Sequence, residues 1–193
     1  MARTFVGVVA GLAGVAALGA FLSGPAAVAQ QPRPGAFTIT VPGLTEAAML
    51  SAKNASSDPG CGGQNVSPSV QWSNAPAGTK SFAVTIFDPD GQKGLGSVHW
   101  VAYGIPAGIT SLPEGIGTSS SKDFVSGNNS QGKATFRGPC PPVGENPHHY
   151  IVAVYALDLE PNALEGGLSR DAFLAAIKGH NIGETSVVLR YQR

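Results

Sequence analysis

The stretch KSFAVTIFDPDGQKGLGSVHW, residues 80–100, decides the fold. Over 80–87 an extended chain is apolar on both sides, with Phe82, Val84 and Ile86 on one face and Ala83, Thr85 and Phe87 on the other. Strands of that kind belong in the middle of a sandwich or beneath covering elements. Asp88-Pro89-Asp90-Gly91 then supplies turn chemistry, and an apolar run resumes over 98–105. Paired as a hairpin, the two runs set the end of the first beside the start of the second, so that Asp88 and His99 become neighbours.

On either side of this stretch most segments read as strands. Residues 37–41 alternate and stop at Pro42, while 66–72 contains Pro68 and reads as an edge or irregular strand. The run 150–157 is apolar throughout, and 185–191 places Val187, Leu189 and Tyr191 on one face. One helix is marked by its ends. Ser169 is an N-cap, Asp171 lies in the first turn, Phe173, Leu174 and Ile177 form a stripe, and Gly179 closes it. A shorter helix is expected over 46–52, and loops over 53–65 and 113–133. The fold class is therefore mainly β and antiparallel, with one or two peripheral helices and no internal repeat.

The first 29 residues stand apart from this pattern. Arg3 precedes an apolar run from Phe5 to Leu22, and Ala27-Val28-Ala29 ends the segment, the form of a cleaved secretory signal. A transmembrane anchor is the alternative; the many Gly and Ala residues and the Ala-x-Ala site favour cleavage. No cysteine in or just after the run provides a lipid anchor, and no twin arginine is present. The expected product is a single exported domain over 30–193, periplasmic or secreted, with no stable membrane span. Removing 1–29 takes Arg3 from the 12 basic residues and nothing from the 12 acidic ones, for a net charge of −1. No basic stripe exists to hold a phosphate backbone, so nucleic acid is a poor partner. The two cysteines, Cys61 and Cys140, both fall in the exported part, where an even count favours a disulfide over two buried thiols.

Titratable side chains gather where strands begin and end. Along 148–157, His148 and Tyr150 share a face and His149 points the other way. Asp88, Asp90, His99, His148 and Tyr150 thus form a candidate cluster at one sheet end. Each has a plainer reading: Asp-Pro-Asp-Gly is a common turn, a buried His can simply donate to a carbonyl, and Gly138-Pro139-Cys140-Pro141-Pro142 can be a rigid loop. Their convergence at one edge favours a site.

An ordered series of motifs gives the chain a family likeness. Asn65-Val66-Ser67-Pro68 with Trp72, the run 76–81, Asp88-Pro89-Asp90, His99-Trp100-Val101, the Gly-Pro-Cys-Pro-Pro loop, His148-His149-Tyr150, Tyr155-Ala156-Leu157-Asp158 and the segment 179–184 follow one another. Over about 36–193 this resembles the phosphatidylethanolamine-binding protein (PEBP) family, in its bacterial Raf kinase inhibitor-like branch. The resemblance implies an antiparallel β-sandwich with Greek-key character and a C-terminal helix. It also implies an anion pocket lined by Asp88, Asp90, His99, His148 and Tyr150, with Gly138, Pro139, Cys140 and Pro141 at its rim and both cysteines beside it. In that pocket, Asp88 against His99 would favour the imidazolium form. Three positions depart from the family pattern: Gly91-Gln92 replaces Ala-Pro, His149 replaces arginine, and Phe136-Arg137 replaces Tyr-Gly. Ligand preference is affected more than fold.

Two function classes follow. One is a non-enzymatic binder of a small anionic or phosphorylated group such as a phospholipid headgroup, with no cofactor and no metal, and with a homodimer as a candidate assembly. The other is a metal-assisted hydrolase using the same Asp/His cluster; no His-x-x-x-His pair supports it. Ser97 near His99 lacks a Gly-x-Ser-x-Gly elbow. Kinase inhibition is implied by the family label alone and does not suit an exported protein.

Overall fold

Strand β3 (Ser81–Asp88) lies in the middle of a five-stranded antiparallel sheet. Its neighbours are β4 (Ser97–Pro106) and β7 (His148–Leu157), with β6 (Val125–Ser126) and β8 (Asn181–Tyr191) at the edges. A second sheet, β1 (Thr38–Thr40), β2 (Val70–Ser73) and β5 (Ser111–Leu112), is antiparallel in the order β1-β2-β5. The computed structural model describes residues 1–2, 35–118 and 121–193. The signal segment expected over 1–29 lies, beyond its first two residues, outside them.

Both faces of the large sheet are covered, which is why β3 and β7 read as continuous apolar runs. On one face Phe82, Val84, Ile86, Trp100 and Val152 pack with Val70, Trp72 and Leu112 of the small sheet. On the other, Ala83, Val101, Tyr103 and Tyr155 meet Phe173 of helix α1 (Arg170–Ala176) and its C-cap Ile177, where the Phe173 ring stacks on Tyr103 at 5.5 Å. Ser169 caps that helix as expected, accepting the Ala172 N–H at 3.2 Å.

Three local expectations are corrected. The strand around Trp72 starts only at Val70, after Pro68, which has no N–H to give to a ladder. It is also the centre of the small sheet rather than an edge. Residues 46–52 form no helix: Ala47 and Leu50 donate their N–H groups to the Val188 and Arg190 carbonyls, and the Glu46 carboxylate accepts from the Val188 N–H at 3.1 Å. The backbone groups a helix would need are spent along β8. The loop expected over 113–133 contains a 3-10 turn, Ile116–Thr118, and β6.

Candidate functional site

The hairpin of β3 and β4 is not regular, and its irregularity builds the site. Ile86 pairs with Trp100 but Phe87 pairs with Val98, so His99 is an extra residue facing no partner on β3. Such a bulge re-aims side chains. Here it brings the His99 ring edge-on to Tyr150, with centroids 5.2 Å apart. His99 Nδ1 lies 2.6 Å from the Arg137 carbonyl, an oxygen that can only accept, so Nδ1 carries a proton. Burial holds the His99 pKa below its ordinary value, against the bond to Arg137 and the nearby Asp88 carboxylate.

Asp88 ends β3 with only 3% of its surface exposed. Its Oδ1 accepts the N–H groups of Asp90 and Gly91 at 2.9 and 3.0 Å, closing the turn that the Asp-Pro-Asp-Gly sequence predicts. Its Oδ2 accepts His148 Nδ1–H at 2.9 Å, whereas His99 Nε2 stands 4.0 Å away. The carboxylate thus orients His148, correcting the expected Asp88–His99 pair; the bulge displaced His99 from that place. The other His148 nitrogen, Nε2, donates to the Glu145 carboxylate at 3.2 Å. Burial alone would depress the His148 pKa, but two carboxylate partners outweigh it and raise the value.

Asp88, His99, His148, Tyr150, Cys140 and Pro141 line one cavity of about 80 Å³. At about 30 Å³ per water molecule, it holds a group of a few heavy atoms. The Tyr150 hydroxyl, in a residue only 1% exposed, has no partner among the described residues. Asp90 is not brought to this cavity. It faces outward, accepting the His149 N–H and Nδ1 at 2.8 Å each, and lines a wider groove with Glu145, His148 and Arg190. Gly138 and Pro139 stand behind the rim. The Gly138 N–H donates to Asn65 Oδ1 at 2.7 Å and the Pro139 carbonyl accepts from Ser56. A Cβ at Gly138 would run into the backbone of Asn54, Ala55 and Ser56. Cys61 and Cys140 form a disulfide with Cα atoms 5.4 Å apart.

Other lining groups were absent from the expected set: Gly91, Gln92 and Ser97. Glu145 and Asn65 were absent too. Glu145, three residues before His148, carries a readable signal in that spacing; the Asn65 clamp, 73 residues from Gly138, carries none. Among the described residues no group of three or more His, Cys, Asp or Glu side chains is arranged to hold a metal ion, and no helix is long and apolar enough to cross a membrane.

The two histidines pull stability in opposite directions with pH. The folded His148 pKa is raised, so its contribution is complete below the ordinary value of about 6.5 and is lost as pH rises through the raised one. The folded His99 pKa is lowered, so stability falls as pH drops below about 6.5, where the unfolded ring charges first. Their summed contribution should peak near pH 6.5. Melting temperatures across pH for the protein and for His148→Gln check this: the variant should lose the decline on the alkaline side. An unchanged alkaline decline would contradict it.

Residues 44–192 match the profile of a family described as phosphatidylethanolamine-binding protein. The UPF0098 protein YbcL of Escherichia coli (strain K12) is 44% identical over 129 residues, 65% of this chain and 70% of its own. The UPF0098 protein YbhB of the same strain is 37% identical over 135 residues, 68% of this chain and 85% of its own. The crystal structure of E. coli YbcL, a member of the mammalian PEBP family, superposes with a TM-score of 0.75 at 37% identity, covering 81% of this chain and 98% of that one. A PEBP homologue from Chlamydia trachomatis superposes with a TM-score of 0.70 at 25% identity, covering 82% and 99%.

Proposed function

The chain belongs to the phosphatidylethanolamine-binding protein family, and on that premise we propose that it is an exported, non-enzymatic binder of a small anionic or phosphorylated group, seated in the cavity beside Tyr150. The observation that carries this reading is the Tyr150 hydroxyl, buried and without a protein partner. A buried O–H left unmatched is costly, and an oxoanion is the natural acceptor for it. Ser97 adds a donor: its oxygen accepts from Gln92 Nε2 at 3.3 Å and its own O–H remains to be given. Glu145, with 55% of its side chain exposed, is held on His148 Nε2 only from the solvent side, so an incoming anion can take its place.

Export is supported by the sequence of 1–29 and fits the disulfide, so the working protein is proposed to be 30–193. Non-enzymatic action is supported by the anchoring of Asp88, whose Oδ1 holds the turn and whose Oδ2 holds His148, so that the carboxylate serves as a fixed acceptor rather than a mobile base.

Titration calorimetry with inorganic phosphate and with acetate tests the reading. His148→Ala should weaken binding by about 1–3 kcal/mol, the loss expected for a charged hydrogen bond. Tyr150→Phe should weaken it as well. Unchanged affinity in both His148→Ala and His99→Ala would overturn the site. Treatment with a chelator should leave affinity and melting temperature as they were. Stoichiometric zinc surviving dialysis, with phosphatase or esterase activity lost on chelation, would support the hydrolase instead.

A further inference from the structure

The geometry points to a cavity that selects an oxoanion carrying its own proton, as hydrogen phosphate or a protonated phosphomonoester does, over sulfate and phosphodiesters, which carry none near neutrality. This rests on the anion-site reading and extends it to the protonation state of the ligand.

The donors and acceptors around this one small space do not balance. His99 Nδ1 is committed to the Arg137 carbonyl at 2.6 Å, so in the neutral ring Nε2 is a bare lone pair. Burial favours that neutral ring. Asp88 Oδ2 stands 4.0 Å from Nε2, beyond hydrogen-bond reach. It accepts one bond, from His148, and keeps a further lone pair. Two acceptors therefore face the same space, while the Tyr150 hydroxyl offers a donor beside them. The cations at the cavity are already matched, His148 by Asp88 and Glu145, and Arg137 by Asp58 at 3.2 Å. A fully deprotonated oxoanion that displaces Glu145 from His148 Nε2 still sets lone pairs against His99 Nε2 and Asp88 Oδ2, with no donor of its own to meet them. An oxoanion bearing a P–OH places a donor there and its charged oxygens toward Tyr150.

Calorimetry on the protein from the exported fraction tests this with four probes: inorganic phosphate, sulfate, phosphoethanolamine and glycerophosphoethanolamine. Phosphate should bind about tenfold or more tighter than sulfate, as expected when buried acceptors are left unpaired. The monoester should outbind the diester below its second pKa of about 6 and lose affinity above it relative to inorganic phosphate, which keeps a P–OH throughout. Taking that ratio removes the titration of the groups facing His99 and His148, namely Asp88, Asp90, Arg137, Glu145, Tyr150 and Tyr191, since both probes meet them equally. The monoester and diester arms also separate a free phosphorylated metabolite from an intact lipid headgroup. Asp88→Asn, which puts an N–H donor at the cavity, should narrow the preference for phosphate over sulfate. If that variant does not fold, the four probes on the unaltered protein decide alone. Sulfate binding as tightly as phosphate, with a proton taken up from buffer, would overturn the inference and leave the anion site standing. Binding of none of the four would overturn both.

Discussion

Reducing the Cys61–Cys140 disulfide is expected to lower stability by about 4–5 kcal/mol. The bond joins residues 79 apart, and the chain-entropy account makes the penalty on the unfolded ensemble grow with the closed loop. For a domain of this size, each kcal/mol moves the melting temperature by about 2–4 °C, so a fall of about 10 °C or more should follow reduction. The bond also ties the loop after Asn54 to the Cys140 rim of the cavity. Two other ties hold the same rim, the Asn65 clamp on Gly138 and the Ser56 N–H on the Pro139 carbonyl. Reduction should therefore loosen phosphate binding without abolishing it. A thiol count on denatured, unreduced protein from the exported fraction, followed by melts with and without reductant, makes the check. Two free thiols would rule the bond out, and a melting temperature indifferent to reductant would remove its stabilising role.

Asp88→Ala is expected to cost about 3–5 kcal/mol, the range for removing one partner of a buried ion pair. Three interactions end with that carboxylate: the Asp90 and Gly91 N–H groups at Oδ1 and His148 Nδ1–H at Oδ2. The turn that shapes one wall of the cavity loses its internal acceptor. His148 keeps only Glu145, whose side chain is 55% exposed and so holds a charge less firmly. The His148 titration should then move down, because the stronger of the two carboxylate partners raising it has gone. Asp88→Asn keeps an acceptor for the turn, should lose less, and separates the turn from the ion pair. Denaturant unfolding with an unchanged slope gives the stability difference, and the His148 ring resonances in NMR give the titration. Loss below about 1 kcal/mol in Asp88→Ala would show that the turn and the pair contribute little.

Each of these effects sits where two distant stretches of chain meet, and that marks the boundary between what was legible in the sequence and what was not. The alternation of β3, β7 and β8 was readable because side-chain direction along a strand has period two and depends on no other segment. The helix over 170–176 was readable for the same reason: a capping Ser169, an apolar stripe and a terminal Gly179 act within a few residues of one another. The shared face of His148 and Tyr150, with His149 on the opposite face, followed from that same period.

The failures at 46–52 and at His99 involve groups whose partners lie far along the chain. Residues 46–52 have helical composition, but their N–H groups found better acceptors on β8, more than 130 residues later. The bulge at His99 arises from the register of β4 against β3, which no feature of 97–106 announces. That one-residue slip handed Asp88 to His148 and left His99 as a neutral acceptor held by the Arg137 carbonyl. Strand alternation and the Asp-Pro-Asp-Gly turn are local, so the order of residues was enough to bring Asp88, His148 and Tyr150 to the sheet end, though not to turn Asp90 outward. Tertiary structure alone decided which of them touch, and hence which are charged. Pairing and burial set a histidine's protonation, and both are properties of contacts between segments rather than of the segments themselves.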